Sequence, residues 1–172
     1  MVPAPSLIVG GLNVAFASDW LMEKDSTLEE DLKRVPAPIP EPAGGGASVQ
    51  VVPSGPGYET ENNLRLFNTL IYSAQERVRI VTPYFVPDDS LLYAVTTAVQ
   101  QGVLVELYVS KEADQKMVTH AQQSYYNQLL EAGVHIYRHP KPDILHSKIL
   151  TVDGEAAVFG SSNMDMRSFS ST

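Results

Sequence analysis

Four residues near the carboxyl end could do chemistry together: His146, Lys148, Ser161 and Asn163, in the stretch Asp143-Ile-Leu-His-Ser-Lys-Ile-Leu-Thr-Val-Asp-Gly-Glu-Ala-Ala-Val-Phe-Gly-Ser-Ser-Asn163. An imidazole can attack phosphorus or protonate a leaving alkoxide, and an ammonium neutralises a phosphate oxygen. A hydroxyl with a carboxamide can bind the remaining oxygens. The combination describes a phosphodiester site that calls for no metal and no cofactor.

The flanking residues must bring the four together. Two apolar β-forming arms, Ile144 to Val152 and Glu155 to Phe159, enclose Asp153-Gly154, the dipeptide best suited to the positive-φ positions of a type I′ turn. A two-residue loop sets Val152 opposite Glu155, Lys148 opposite Phe159 and His146 opposite Ser161, so His146, Lys148, Ser161 and Asn163 converge on one face. Asp153 lies seven strand residues from His146, roughly 23 Å at about 3.3 Å per residue, and belongs to the turn.

Composition bounds what surrounds this hairpin. The chain has 172 residues and is 44% apolar, enough for one globular domain plus appendages. It has no cysteine, which removes disulfides and thiolate metal sites, and its formal charge of −8 argues against nucleic acid as a partner. No apolar run reaches about 18 residues; residues 7 to 22 come closest and are interrupted by Asn13, Ser18 and Asp19, so the fragment is expected to be soluble or peripheral.

Leu12, Phe16 and Trp20 recur at helical spacing, and Arg34 to Pro42 with Ala43 to Ala47 reads as a proline- and glycine-rich linker. The boundaries follow: 1–34 a helical segment, 35–57 linker and entry strand (Val49 to Pro53), 58–172 the main domain. Within it, a helix carrying Leu64, Phe67, Leu70, Ile71 and Ala74 and capped near Thr60 precedes a buried-type strand, Arg77 to Thr82. A helix capped by Asp88 or Asp89 ends at Gly102, and a strand follows from Val103 to Val109. A third helix, about Gln115 to Ala132 with Val118, Ala121, Tyr125 and Leu129 inward, stops at Gly133 before a strand from Val134 to Tyr137. Alternating strands and helices predict an α/β fold, with a mixed sheet flanked by helices on both faces once the antiparallel hairpin is added.

The spacing H-x-K-x4-D-x6-G-S-x-N resembles the signature of the phospholipase D superfamily, in which His146, Lys148 and Asp153 are the catalytic motif positions. Thr82-Pro-Tyr-Phe-Val-Pro-Asp88, Ser124-Tyr-Tyr126, Leu130-Glu-Ala-Gly-Val134 and Gly160-Ser-Ser-Asn-Met-Asp-Met-Arg-Ser168 are similar to the bacterial cardiolipin synthase branch, over roughly residues 48 to 170. The resemblance implies a half-domain carrying the second of two signature motifs, truncated at its carboxyl end before a glutamate that orients the catalytic imidazole. It implies transfer of a phosphatidyl group from phosphatidylglycerol through a phosphohistidine, with His146 as acid/base and Ser161 and Asn163 binding phosphate. Its partner is the missing first-motif half or a second copy, and its full-length place is the bacterial membrane.

Other arrangements fit less well. His135, His139 and His146 lack a carboxylate pair at metal-ligand spacing, and Ser161-Ser162 lacks the strand-elbow-helix setting of an acyl-transfer serine. Tyr84 and Phe85, at a strand's carboxyl end, and Tyr125 and Tyr126 on the third helix are the substrate-pocket residues expected, with Tyr125 also suited to the core. A phosphodiesterase or nuclease using the same site, or a half-domain that only binds, stand as the alternatives.

Overall fold

The computed structural model describes residues 48–54, 61–111, 116–142 and 145–165. The chain divides into two compact units, Met1–Pro53 and Ser54–Thr172. The expected amino-terminal helix and the linker up to residue 47 lie outside the described residues, as does Thr60. Residues 48–54 carry no regular structure: the expected entry strand is not formed, because no neighbouring strand pairs with it.

Among the described residues there are ten elements, all in the second unit. They are α1 (Asn62–Ser73), β1 (Arg77–Val81), β2 (Phe85–Val86), α2 (Asp89–Gln100), β3 (Leu104–Ser110), α3 (Lys116–Ala132), β4 (His135–His139), β5 (Ile149–Val152), β6 (Ala156–Phe159) and β7 (Met164–Asp165). Five strands form a mixed sheet in the order β4-β3-β1-β5-β6, parallel from β4 to β1 and antiparallel from β1 to β6. The sheet is flanked by helices, as the alternation of patterns predicts. The short strands β2 and β7 pair parallel in a separate two-stranded sheet.

Each helix forms where its apolar spacing allows. In α1, Leu64, Phe67 and Ile71 are buried on one stripe, and Glu61 precedes the helix at φ 42° without a side-chain cap. Asp88 caps α2 by accepting from Leu91 N–H at 2.9 Å. The helices' buried residues, among them Ile71, Leu91, Val95 and Leu129, form one core with Val78, Ile80, Val105, Leu107, Val109, Leu150 and Val152. Strand alternation sends Arg79, Glu106, Tyr108 and Tyr137 to the opposite face. There Arg79 Nε lies 2.9 Å from Glu106 Oε2, and the Tyr108 and Tyr137 rings stack at 4.8 Å. Thus β1 buries one face, and the core residues of the three described helices pack against that face.

Two glycines stop helices at positive φ, but in different surroundings. Gly133 has φ +100° and a Cβ there would lie 3.0 Å from Val99 Cγ1, whereas Gly102, at φ +90°, has open space around it. Gly133→Ala is therefore expected to cost more than Gly102→Ala, exceeding the roughly 1 kcal/mol typical of a left-handed position, because Val99 must also move. Urea unfolding of the two variants measures the difference.

Candidate active site

The hairpin is present, with its turn as expected and its register shifted. Asp153 and Gly154 take φ 55° and 75°, and Glu155 N–H donates to Val152 C=O at 3.0 Å. The ladder, however, pairs Val152 with Ala156, Leu150 with Val158 and Ile149 with Phe159, so the loop holds three residues and the predicted pairs Val152–Glu155, Lys148–Phe159 and His146–Ser161 are not formed. The core decides the register. Pairing Val152 with Glu155 would turn Glu155 and Ala157 toward the core and Val158 away, since a one-residue slip exchanges the faces. In the observed register Val158 packs against the core beside Leu150, and Phe159 is left 72% exposed.

The first arm is also shorter than predicted. Its neighbour β1 ends at Val81, opposite Ile149, and the next residues are Thr82 and Pro83, the latter without an N–H to extend a ladder. His146 and Lys148 consequently sit just before β5, where Gly160 N–H reaches Lys148 C=O at 3.3 Å.

Asp153 occupies the far end of β5. Its carboxylate accepts from the N–H groups of Gln75 at 2.8 Å, Glu76 at 2.9 Å and Arg77 at 2.7 Å, while its own N–H donates to Arg77 C=O at 2.9 Å. These contacts clamp the turn to the entry of β1. They do not reach His146, so the third motif position acts on the hairpin's placement. Backbone donation from Arg77, then Gln75 and Glu76, holds the carboxyl below its ordinary value. A lowered folded-state pKa gives stability that is present above the unfolded carboxylate pKa and lost as pH falls through the folded one. Asp153→Asn is therefore expected to lower the melting temperature at neutral pH and to flatten its acid decline, read from thermal melts taken from neutral pH into the carboxylate range.

At the reactive end, Lys148 Nζ lies 3.3 Å from His146 Nδ1 and 3.2 Å from Nε2, and donates to His146 C=O at 2.9 Å. The ammonium can donate to whichever ring nitrogen carries the lone pair. His146 is exposed and Lys148 half-buried, and desolvation lowers the lysine's pKa from its ordinary value. An incoming phosphate oxygen would replace lost water around that charge. On the second arm, Asn163 Nδ2 donates to the Tyr84 hydroxyl at 2.8 Å, and its Oδ1 is buried without a partner among the described residues. The amide keeps a second N–H beyond the one it gives to Tyr84. Ser161 is exposed, and among the described residues no hydrogen bond joins it to His146 or Lys148.

A family model described as the cardiolipin synthase, PLD-like domain matches residues 67–172. The chain belongs to that family. It is 41% identical over 158 residues to the cardiolipin synthase of Halalkalibacterium halodurans, covering 92% of this chain and 31% of that protein. Cardiolipin synthase A of Serratia proteamaculans is 37% identical, with 94% and 33% covered. The chain therefore spans about a third of the length of these relatives. Among solved structures, the phospholipase D family member Nuc from Salmonella typhimurium shares the fold with a TM-score of 0.56 at 19% identity, over 66% of this chain and 72% of that one. Phosphatidylserine synthase of Haemophilus influenzae gives a TM-score of 0.50 at 22% identity, over 64% and 30%.

Within this PLD-like domain the aromatic residues expected to line a pocket have separate fates. Tyr84 is half-buried and touches the site through Asn163. Phe85 is 1% exposed and belongs to the core, because β2 turns its side chain inward. Tyr125 packs against the core, and the Tyr126 hydroxyl accepts from Gln122 Nε2 at 2.6 Å. Burial raises the Tyr126 phenol above its ordinary value, keeping it a neutral hydroxyl.

Gln122 belongs to none of the sequence motifs. It is 2% exposed, and its Oε1 accepts from Phe85 N–H at 2.8 Å. The signal was available: 122 is four residues after Val118 and three before Tyr125, so a polar side chain stands on the stripe that faces inward. Among the described residues no three histidine, aspartate or glutamate side chains gather in a way that could hold a metal ion.

Proposed function

We propose that this chain is the second-motif half of a phosphatidyltransferase that makes cardiolipin from phosphatidylglycerol. The observation that carries the proposal is the contact of Lys148 with both ring nitrogens of His146, which holds a phosphate-neutralising cation against a nucleophile or acid. The relatives named cardiolipin synthase supply the substrate class.

In the reaction, one imidazole attacks the phosphorus of phosphatidylglycerol, forming a P–N bond and breaking the bond from phosphorus to the glycerol headgroup oxygen. A second imidazole gives that oxygen its proton, and glycerol leaves. The glycerol hydroxyl of another phosphatidylglycerol then loses its proton to the second imidazole and attacks phosphorus, releasing the first imidazole and forming cardiolipin. His146 takes the second imidazole's role, and the first-motif half contributes the nucleophile. Lys148 and Asn163 hold the phosphate oxygens, and Ser161 joins them on substrate binding. The full-length enzyme works at the bacterial membrane; no helix among the described residues is long and apolar enough to cross one.

The test is turnover by the complete two-motif protein containing this chain. With phosphatidylglycerol vesicles, cardiolipin and one glycerol per cardiolipin are expected. Cleavage of single-stranded DNA, with phosphatidylglycerol untouched, would replace this reading with a nuclease.

A further inference from the structure

We infer that Gln122 and Ser110 are positioning residues which lock the His146 arm of the site to the Asn163 arm. The inference rests on the proposal that both arms grip one phosphate. His146 and Asn163 are 17 positions apart in sequence and both leave the open end of the β5–β6 hairpin, beyond its last ladder pair Ile149–Phe159, with neither inside a strand of the main sheet. The hairpin's outermost contact, Gly160 N–H to Lys148 C=O at 3.3 Å, stops short of both residues, so their placement relative to each other depends on contacts outside the ladder.

A buried polar chain does so. Ser110, 3% exposed at the end of β3, donates its hydroxyl to Leu145 C=O at 3.2 Å, the peptide that leads into His146. The Ser110 N–H donates to Pro83 C=O at 3.1 Å, and its own C=O accepts from Gln122 Nε2 at 3.4 Å. Gln122 Oε1 then fixes Phe85 N–H, while Thr82 Oγ1 donates to Tyr84 C=O at 2.9 Å, so the Tyr84–Phe85 peptide is held at both of its polar atoms. Phe85 pairs with Met164 across β2 and β7, and the Tyr84 hydroxyl holds the Asn163 amide. The path is continuous from the residue before His146 to the residue before Met164.

Hydrophobic burial alone does not call for such a chain. A methionine at 122 would fill similar volume on the inward stripe, so hydrophobic burial does not select glutamine. What the amide adds is direction. Its acceptor and donor are both engaged, and a satisfied buried network has one low-energy arrangement.

The experiment uses the isotope-labelled chain, with Gln122→Met, Ser110→Ala and Ser110→Thr. In the free protein, Gln122→Met is expected to move the Asn163 side-chain amide resonance, and Ser110→Ala the His146 ring resonances, with Ser110→Thr restoring the latter. Tungstate then serves as a phosphate probe: Gln122→Met should weaken its binding roughly tenfold in the wild-type background and not at all in an Asn163→Ala background, since acting through Asn163 makes the two losses non-additive. Equal losses in both backgrounds would indicate general loosening and overturn the inference. So would unmoved Asn163 and His146 resonances in the folded variants, and Ser110→Ala decides alone should Gln122→Met fail to fold. If the wild-type chain binds no tungstate, the phosphate-site proposal fails, while the resonances still decide whether the arms are coupled.

Discussion

His146→Ala and Lys148→Ala should each abolish phosphatidyl transfer by the complete two-motif protein while leaving its melting temperature nearly unchanged. His146 is exposed, and its side chain meets Lys148 Nζ, with no place in the core. Its removal costs no packing. What is lost is proton transfer at the leaving alcohol, an effect of about 10²–10⁴-fold in rate, or roughly 3–5 kcal/mol of barrier. Lys148→Ala removes the charge set against the phosphate oxygens and should cost a comparable factor, of order 10²–10³ by analogy with a single oxyanion donor. Lys148→Arg is expected to recover only part, because a planar guanidinium cannot sit between both imidazole nitrogens as an ammonium does. Initial rates on phosphatidylglycerol vesicles, with melts of the same samples, check all three. Wild-type turnover in either alanine variant would remove the pair from the chemistry.

How much of this could be read from the sequence depended on whether the deciding interaction is local. The Asp153-Gly154 turn and the Asp88 cap are set by nearby residues, and both are where the pattern put them. The hairpin register is different: it depends on which of Val158 and Ala157 meets Leu150 and the helices, a choice the turn dipeptide does not make. The pairing of β2 with β7 joins residues 85 and 164, and nothing near either residue announces the other. Asp153 shows the same limit, since its carboxylate is spent on the backbone of residues 75–77, far away in sequence. A signature spacing identifies which residues are held together in function; it does not say which of them touch.

The chain by itself should make no cardiolipin. In-line displacement at phosphorus requires a nucleophile on one side and a proton donor on the other, and one imidazole cannot stand on both. The described site holds His146 with Lys148 beside it, while of the remaining histidines His120 lies on α3, and His135 and His139 lie on β4, across β3 and β1 from β5 in the sheet order. A second imidazole must therefore come from elsewhere: the first-motif half, or His146 of a second copy brought face to face across a two-fold axis, the commonest symmetry by which one surface patch meets itself. Activity is expected to be absent in the monomer fraction from size exclusion. It should appear when the first-motif half is added, or in a dimer fraction if one forms, rising with the square of chain concentration while dimers are scarce. Mixing His146→Ala chains with wild-type chains separates the two sources. If copies complete each other, the inactive chain depresses turnover; if the first-motif half completes the site, turnover follows the wild-type fraction alone. A purified monomer that converts phosphatidylglycerol to cardiolipin would show that one imidazole can serve both faces of the phosphorus in turn, and the two-imidazole mechanism would have to be given up.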